Sequence, residues 1–307
     1  MVISTYPPPV PVAFSPTARV TTMGEEGPVV TDWSLTSGHG YILNRSRRHA
    51  AASRLNLQFY LWKDALKFNI HPTILSSLPK TAVIAEVASG SGVWLVDVSR
   101  EFPEAQLDGL DYDIRQAPHQ QWLPSNVNMR HWNIFDQVPD DLVGKYDYIH
   151  TRLLVLVVES KNPQPILRNL LKLLKPGGYL QWDELDTMNM CVKKVDPNVQ
   201  TPALDQLREW SWAGGLHDWT VKLPQFFTEE GFQDVKIDFV GDSPELAKAF
   251  NEQHLLTAEE FAEGLMKLGK PEAASRYFRL VEEAYEESMD GAALCVPRIV
   301  CTGQKAL

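Results

Sequence analysis

The run spanning residues 82–98, A-V-I-A-E-V-A-S-G-S-G-V-W-L-V-D-V, constrains this chain more than any other stretch. It opens with five residues of strand length, Val83 to Val87, apolar except for Glu86. A turn follows through Ala88-Ser89-Gly90-Ser91-Gly92, and then Val93, Trp94, Val96 and Val98 continue as an apolar helix pattern. Strand, glycine-rich turn and helix begin a parallel α/β sheet. In such sheets ligands sit outside the carboxyl ends of the strands, where this turn lies. A dinucleotide fingerprint would read G-x-G-x-x-G, but the matching positions here are Ala88, Gly90 and Val93. The spacing is tighter, A-x-G-x-G, with an acid two residues before the first small residue. Glycines let the backbone approach a ligand, whereas alanine resists the positive φ that glycine adopts at little cost.

The rest of the chain supplies the other strands. Residues 105–111, A-Q-L-D-G-L-D, read as a second strand ending in Asp111, about twenty residues beyond the turn. A carboxylate there has two acceptor oxygens and matches a vicinal diol such as the ribose of an adenosine; the plainer reading is a turn-capping Asp, with Asp113 close enough to share either role. A third strand spans residues 127–132 and ends at Asn133-Ile134-Phe135, where the amide can accept from an adenine amino group and Ile134 can pack on the ring. A fourth, Y-D-Y-I-H at 146–150, leads into Thr151-Arg152. A helix at 165–174 ends at Lys175-Pro176-Gly177-Gly178, since Pro cannot continue it and Gly suits the position past its end. The fifth strand, 179–182, is followed by Asp183, Glu184 and Asp186. A helix, a Gly stop and another strand follow over 223–240, and the terminal strand holds Pro297, which suits an edge or a bulge.

Around this core the expected organisation has four further parts. Residues 1–35 form an extended or partly disordered arm, read as a solvated tail; an arm packed on its own domain or on a twin subunit is the alternative, which leaves an oligomer open. Residues 36–80 form a helical cover, in which Leu55, Phe59, Leu61, Trp62 and Leu66 recur at helical spacing. The core occupies 81–243. A helical, acidic insertion at 244–292 lies over the substrate site, and 293–307 return as the last strand of the core.

Composition narrows the classes. Hydrophobic residues make up 44%, enough for a core in a chain of 307 residues, and no apolar run reaches the roughly 18 residues of a membrane span. A net charge of -10 argues against nucleic acid or an anionic membrane as partner, because phosphate neutralisation needs clustered Lys and Arg. The N-terminal M-V-I-S-T-Y-P-P-P lacks the basic start and long apolar core of a signal peptide. The three cysteines, Cys191, Cys295 and Cys301, show no C-x-x-C spacing, so a reducing, cytoplasmic setting and no metal are expected.

Six phrases in order carry a resemblance: Y-I-L-N-R at 41, R-L-N-L-Q-F-Y-L-W-K at 54, V-I-A-E-V-A-S-G-S-G-V-W-L at 83, A-Q-L-D-G-L-D at 105, V-G-K-Y-D-Y-I-H-T-R-L at 143 and L-R-N-L-L-K-L-L-K-P-G-G-Y-L-Q-W-D-E at 167. Together they resemble the class I S-adenosylmethionine-dependent methyltransferases, in the fungal branch associated with secondary metabolism. Ala88 departs from that family's usual acid-x-G-x-G-x-G. The resemblance implies an α/β, Rossmann-like seven-stranded sheet with helices on both faces and a helical cap. It implies S-adenosyl-L-methionine as cofactor, with Glu86, Ala88, Gly90 and Gly92 lining its methionine part, Asp111 on the ribose, and Asn133 and Ile134 framing the adenine. Tyr41 would reach the cofactor carboxylate, and His150 and Arg152 would lie near the sulfonium or the substrate.

Methyl transfer is an in-line displacement at an activated carbon, so positioning supplies most of what a protein adds. A base is required only when the acceptor must first lose a proton. His150, Glu184 and His217 are the candidates, each also readable as a strand-end or loop residue. The aromatics Trp210, Trp212, Trp219, Phe226, Phe227 and Phe250 suit an apolar, planar small molecule, and core packing accounts for many of them equally well. The fold alone leaves two rivals: a non-methylating enzyme that retains the cofactor, such as a cyclase, and a regulatory binding protein.

Overall fold

A computed structural model describes residues 48–307, apart from 159 and 213. The expected arm and Tyr41 lie outside the described residues. In chain order the elements are α1 (Arg48–Leu66), α2 (Pro72–Leu75), β1 (Val83–Val87), α3 (Val93–Glu101), β2 (Gln106–Asp111), β3 (Val127–His131), β4 (Tyr146–Arg152), α4 (Gln164–Leu173) and β5 (Leu174–Leu185). Then come β6 (Cys191–Lys194), α5 (Pro202–Trp212), α6 (Leu223–Glu229), β7 (Phe232–Val240), α7 (Pro244–Lys267), α8 (Pro271–Met289), β8 (Ala292–Cys295) and β9 (Arg298–Lys305).

Seven strands form one sheet in the order β3-β2-β1-β4-β5-β9-β7. The first five are parallel, and β9 runs antiparallel between β5 and β7. This is the Rossmann-like α/β sheet expected. Strand order reverses between β1 and β4, whose C-terminal ends therefore open the crevice in which such sheets bind ligands.

Each face has its own apolar cover. Ala85, Val87, Ile149, Leu180 and Trp182 pack with Ile166, Leu167, Leu170 and Leu173 of α4 and Phe227 of α6. On the opposite face Ile84, Leu107 and Tyr148 pack with Phe59 of α1 and Trp94, Leu95 and Val98 of α3. Alternate strand residues point to alternate faces, so the near-continuous apolar runs of β1 and β4 fit a sheet covered on both sides. Farther along α1, Trp62 and Leu66 pack with Phe250 of α7 and Val300 of β9. The insertion thus packs through α7 on the same face as the N-terminal helix.

Two boundaries differ from expectation. Helix α4 stops at Leu173, and β5 begins at once, so Lys175-Pro176-Gly177-Gly178 lies inside the strand rather than in a loop before it. The chain bulges there: Tyr146 pairs with Leu174, Tyr148 pairs with Tyr179, and Gly177 takes φ +76. The terminal segment divides at Pro297 into two strands. Only β9 joins the main sheet, while β8 pairs with β6 in a separate two-stranded ribbon. Pro297 has no N–H for a ladder, and its carbonyl accepts the Asp186 N–H at 2.8 Å across the break.

Candidate active site

Three parallel strands assemble the site. The register pairs Glu86 of β1 with His150 of β4, and His150 with Gln181 of β5. Arg152 and Asp183 form the next row toward the strand ends. Two-residue alternation turns all five side chains to the face covered by α1 and α3.

His150 has no exposed surface, and its ring stacks on that of Trp94 at 4.3 Å with a 10° interplanar angle. Its Nε2 lies 3.0 Å from Asp183 Oδ2. Its Nδ1 stands 3.5 Å from Glu86 Oε1, without a formed hydrogen bond. Arg152 donates to the same Asp183 oxygen from Nε (3.0 Å) and Nη2 (2.7 Å), with its guanidinium 5.0 Å from the Trp62 ring. Gln181 Nε2 donates to Asp183 Oδ1 at 2.9 Å, and Gln181 Oε1 accepts the Tyr148 hydroxyl at 2.8 Å.

The two carboxylates beside His150 are tuned in opposite directions. Burial alone would raise Asp183, but the charge of Arg152 and the hydrogen bonds from His150 and Arg152 outweigh it and hold this carboxyl below its usual value. An ionised Asp183 only accepts, so the hydrogen it shares with His150 sits on Nε2. For Glu86 burial wins over the attraction of His150 and Arg152, and its carboxyl is raised. Among the described residues Glu86 Oε2 is buried without a partner, as is the hydroxyl of Ser89 in the adjoining turn.

The turn itself is left-handed at three positions: Ala88 (φ +58), Gly90 (φ +54) and Gly92 (φ +69). Alanine was expected to resist this conformation, yet the backbone adopts it because the strand ends dictate it. The Ala88 and Ser89 N–H groups donate to the Leu110 carbonyl at 2.7 and 3.3 Å, and the Gly90 N–H donates to Asp111 Oδ2 at 2.8 Å. An αL alanine costs on the order of 1 kcal/mol, which these bonds offset.

Asp111 caps as well as faces the crevice. Its Oδ1 accepts the Asp113 N–H at 2.7 Å while Oδ2 holds Gly90. Each oxygen thus uses one of its two acceptor directions and retains one. Asp113 instead pairs with Arg115 Nε at 2.6 Å. At the tip of β3 the Trp132 N–H donates to the Asp111 carbonyl at 3.0 Å, which brings half-buried Asn133 and buried Ile134 beside it. Asn133 Oδ1 accepts the Phe135 N–H at 3.1 Å.

The structure does not bring Glu184 or His217 to this cluster. Glu184 follows Trp182 on the opposite face, fully buried, accepting Trp182 Nε1 at 3.2 Å and the Leu185 N–H at 3.1 Å. Burial pushes its carboxyl up to about 8, so at neutral pH it is protonated and a poor base. His217 follows α5, half-buried, with burial depressing it more than Asp218 raises it. Among the described residues no hydrogen bond or ion pair joins either to His150. Sequence reasoning grouped Asp183 with Glu184 and did not single it out, and it missed Trp94 and Gln181. The available signal was period two: a core-facing Trp182 takes Glu184 with it and leaves Gln181 and Asp183 on the other side. Among the described residues no cluster of His, Cys, Asp or Glu is placed to hold a metal, and no helix is long and apolar enough to cross a membrane.

The stretch that carries these residues is similar to known proteins. A family model described as a methyltransferase domain matches residues 85–180. Methyltransferase grgD of a Penicillium species is 40% identical over 117 residues, covering 35% of this chain and 40% of that protein. N-methyltransferase tcpN of Claviceps purpurea is 29% identical over 199 residues, covering 62% of this chain and 69% of that one. The secondary metabolism regulator laeA of Gibberella zeae is 26% identical over 135 residues, 43% of this chain and 40% of that one. The chain thus spans about two fifths of the length of the first of these relatives. Glu86, the glycine turn, Asp111, Asn133, His150 and Arg152 all fall within residues 85–180, the stretch that matches the methyltransferase domain.

Proposed function

We propose that this chain transfers the methyl group of S-adenosylmethionine to an oxygen, nitrogen or sulfur atom of a small apolar or aromatic natural product. The observation that carries the reading is the pair of acids at the C-terminal ends of β1 and β2. Glu86 offers an orphaned, buried carboxylate oxygen, and Asp111 retains one acceptor direction on each oxygen. Those acceptor oxygens suit an ammonium at Glu86 and the ribose diol at Asp111, with Gly90 and Gly92 allowing close approach between them. The residues present therefore fit the cofactor. When bound, the cofactor supplies a methyl group on a sulfonium sulfur.

The chain's own residues bind, orient and exclude water. Asp111 fixes the ribose end and the turn together. Asn133 and Ile134 frame the adenine. His150, wedged between Glu86 and Asp183 against Trp94, keeps the floor of the site rigid. Rigid placement can contribute about 7–11 kcal/mol to a displacement reaction. His150 has no exposed surface and both ring nitrogens face carboxylates, so it is a positioning residue. An acceptor that needs no strong base, such as an amine, suits such a site, and the relative tcpN is named an N-methyltransferase.

The regulator among the relatives keeps a second reading in view, in which the chain binds cofactor without consuming small molecules. Mass spectrometry decides between them. The protein is incubated with trideuteromethyl S-adenosylmethionine and an extract of fungal secondary metabolites. A metabolite gaining a CD3 label in step with S-adenosylhomocysteine release is expected. Cofactor binding with no labelled product from such extracts would favour the regulator.

A further inference from the structure

A second ion pair packs against the same Trp62 ring as the first, and it is incompletely satisfied. Arg298 opens β9 and pairs in register with Leu185 of β5 and Val240 of β7. It therefore lies at the same edge of the sheet as the glycine turn, where the parallel strands end. Its side chain is 1% exposed. It is clamped between rings, its guanidinium carbon 3.5 Å from the Phe250 centroid and 5.6 Å from that of Trp62. Arg152 lies 5.0 Å from the same Trp62 ring, so one indole joins the two guanidinium groups.

The two arginines are partnered differently. Arg152 presents its Nε–Nη2 edge to Asp183. Among the described residues Arg298 makes a single side-chain bond, from Nη1 to Asp242 Oδ1 at 2.9 Å. Its Nε and Nη2 are buried with no partner among those residues. That side-on edge is the one that takes a carboxylate through two parallel hydrogen bonds. Buried donors of a charged group without a partner are costly, so the edge calls for an acceptor. More unpartnered polar atoms come from α7: Asn251 Nδ2 and His254 Nε2, the latter on a ring held neutral by burial and by the nearby Arg298 charge.

We propose that the Nε–Nη2 edge of Arg298 receives a carboxylate carried by the methyl acceptor, so that the substrates of this enzyme are apolar or aromatic carboxylic acids. The inference rests on the methyl-transfer reading and adds the substrate class. Of the anions that could take this edge, a monoanion leaves the smaller charge imbalance. Asp183 neutralises Arg152 and Asp242 neutralises Arg298, so a doubly charged phosphate would leave the larger imbalance. Phe250 and Trp62 suit the apolar body of such an acid. The seam between α1 and α7 beside this edge is joined at one end by polar pairs, Arg54 to Glu260 at 2.7 Å and Gln253 to Gln58 at 3.4 Å.

The test is calorimetric titration of the full chain, saturated with S-adenosylhomocysteine, with benzoate and 2-naphthoate and with their uncharged counterparts benzamide and 2-naphthamide. Each acid is expected to bind at least about tenfold more tightly than its amide. Arg298→Lys keeps the charge and the Asp242 pair but not the two-pronged edge. It should bring that ratio to within about threefold while leaving S-adenosylhomocysteine affinity unchanged. Asp242→Asn removes a competing carboxylate and should raise the ratio. Equal binding of acid and amide to the wild type, or a preference that survives Arg298→Lys, overturns the inference. Failure of the wild type to bind S-adenosylhomocysteine would instead sink the methyl-transfer reading, so the two failures are distinct.

Discussion

Replacing Asp183 by Asn keeps the shape of the side chain and removes its charge. In the native protein that charge is unexposed and is shared by Arg152, through two bonds to one oxygen, and by His150 Nε2. Arg152 is itself only 10% exposed, so water compensates little. Breaking one side of such a buried pair costs about 3–5 kcal/mol. Equilibrium urea unfolding at pH 7 should show a loss of that size for Asp183→Asn. The sign of the pH dependence follows from the depressed Asp183 carboxyl. Its contribution is fully present above the unfolded carboxyl pKa, roughly 4, and disappears as pH falls through the lower folded value. The gap between wild type and variant should therefore be constant from about pH 5 upward and narrow below about pH 4. Adding Arg152→Met to Asp183→Asn should recover at least about 1 kcal/mol relative to the sum of the single losses, since neither charge is then left alone. A single-variant loss under about 1 kcal/mol, or additive losses in the cycle, would refute the ion-pair account of this site.

Other outcomes follow from neighbouring residues. Glu86 carries a raised carboxyl, so its ionisation weakens the fold as pH rises from the unfolded value of about 4.3 toward the folded one; Glu86→Gln should leave the protein equally or more stable at pH 7 by thermal melting and weaken S-adenosylhomocysteine binding at least about tenfold, and unchanged binding would remove Glu86 from the site. Burial pushes the Glu184 carboxyl up to about 8, so wild-type stability should decline between about pH 4.5 and 8, and Glu184→Gln should reduce that slope, leaving the part due to Glu86; an identical slope in the variant would contradict the burial argument. A Cβ at Gly109 would come 2.5 Å from Met129 Sδ and 2.7 Å from Leu95 Cδ1, so Gly109→Ala should cost about 1–3 kcal/mol in urea unfolding, and a neutral result would mean that β2 and α3 have slack between them.

Much of the fold was legible because it rests on local rules. Periodicity and glycine spacing gave the strand–turn–helix at 82–98, and the apolar runs gave the later strands. What escaped was set by pairing between distant segments. Lys175-Pro176-Gly177-Gly178 carries every mark of a helix stop, and α4 does end just before it. Only the partner strand reveals that the same four residues are a bulge inside β5. Ala88 looked like a departure from a glycine-dependent turn, but hydrogen bonds to Leu110 at the end of β2 hold it in the glycine conformation. The site divided along the same line. Glu86, Asp111, His150 and Arg152 stand at strand ends that sequence spacing located. Asp183 was hidden beside Glu184 because two adjacent acids on one strand point to opposite faces, and the choice between them depends on what covers each face. Arg298 gave no signal at all: its isolation becomes visible only when α1, α7 and β9 meet around it.

The measurement that bears most directly on the account is calorimetric titration of the wild type and of Asp111→Asn with S-adenosylhomocysteine. The account predicts saturable one-to-one binding by the wild type and a loss of roughly 10–150-fold in the variant, the effect of replacing charge-assisted hydrogen bonds to the ribose at about 1.5–3 kcal/mol. A wild type that does not bind, or a variant that binds as tightly, would contradict the placement of the cofactor across the ends of β1 and β2.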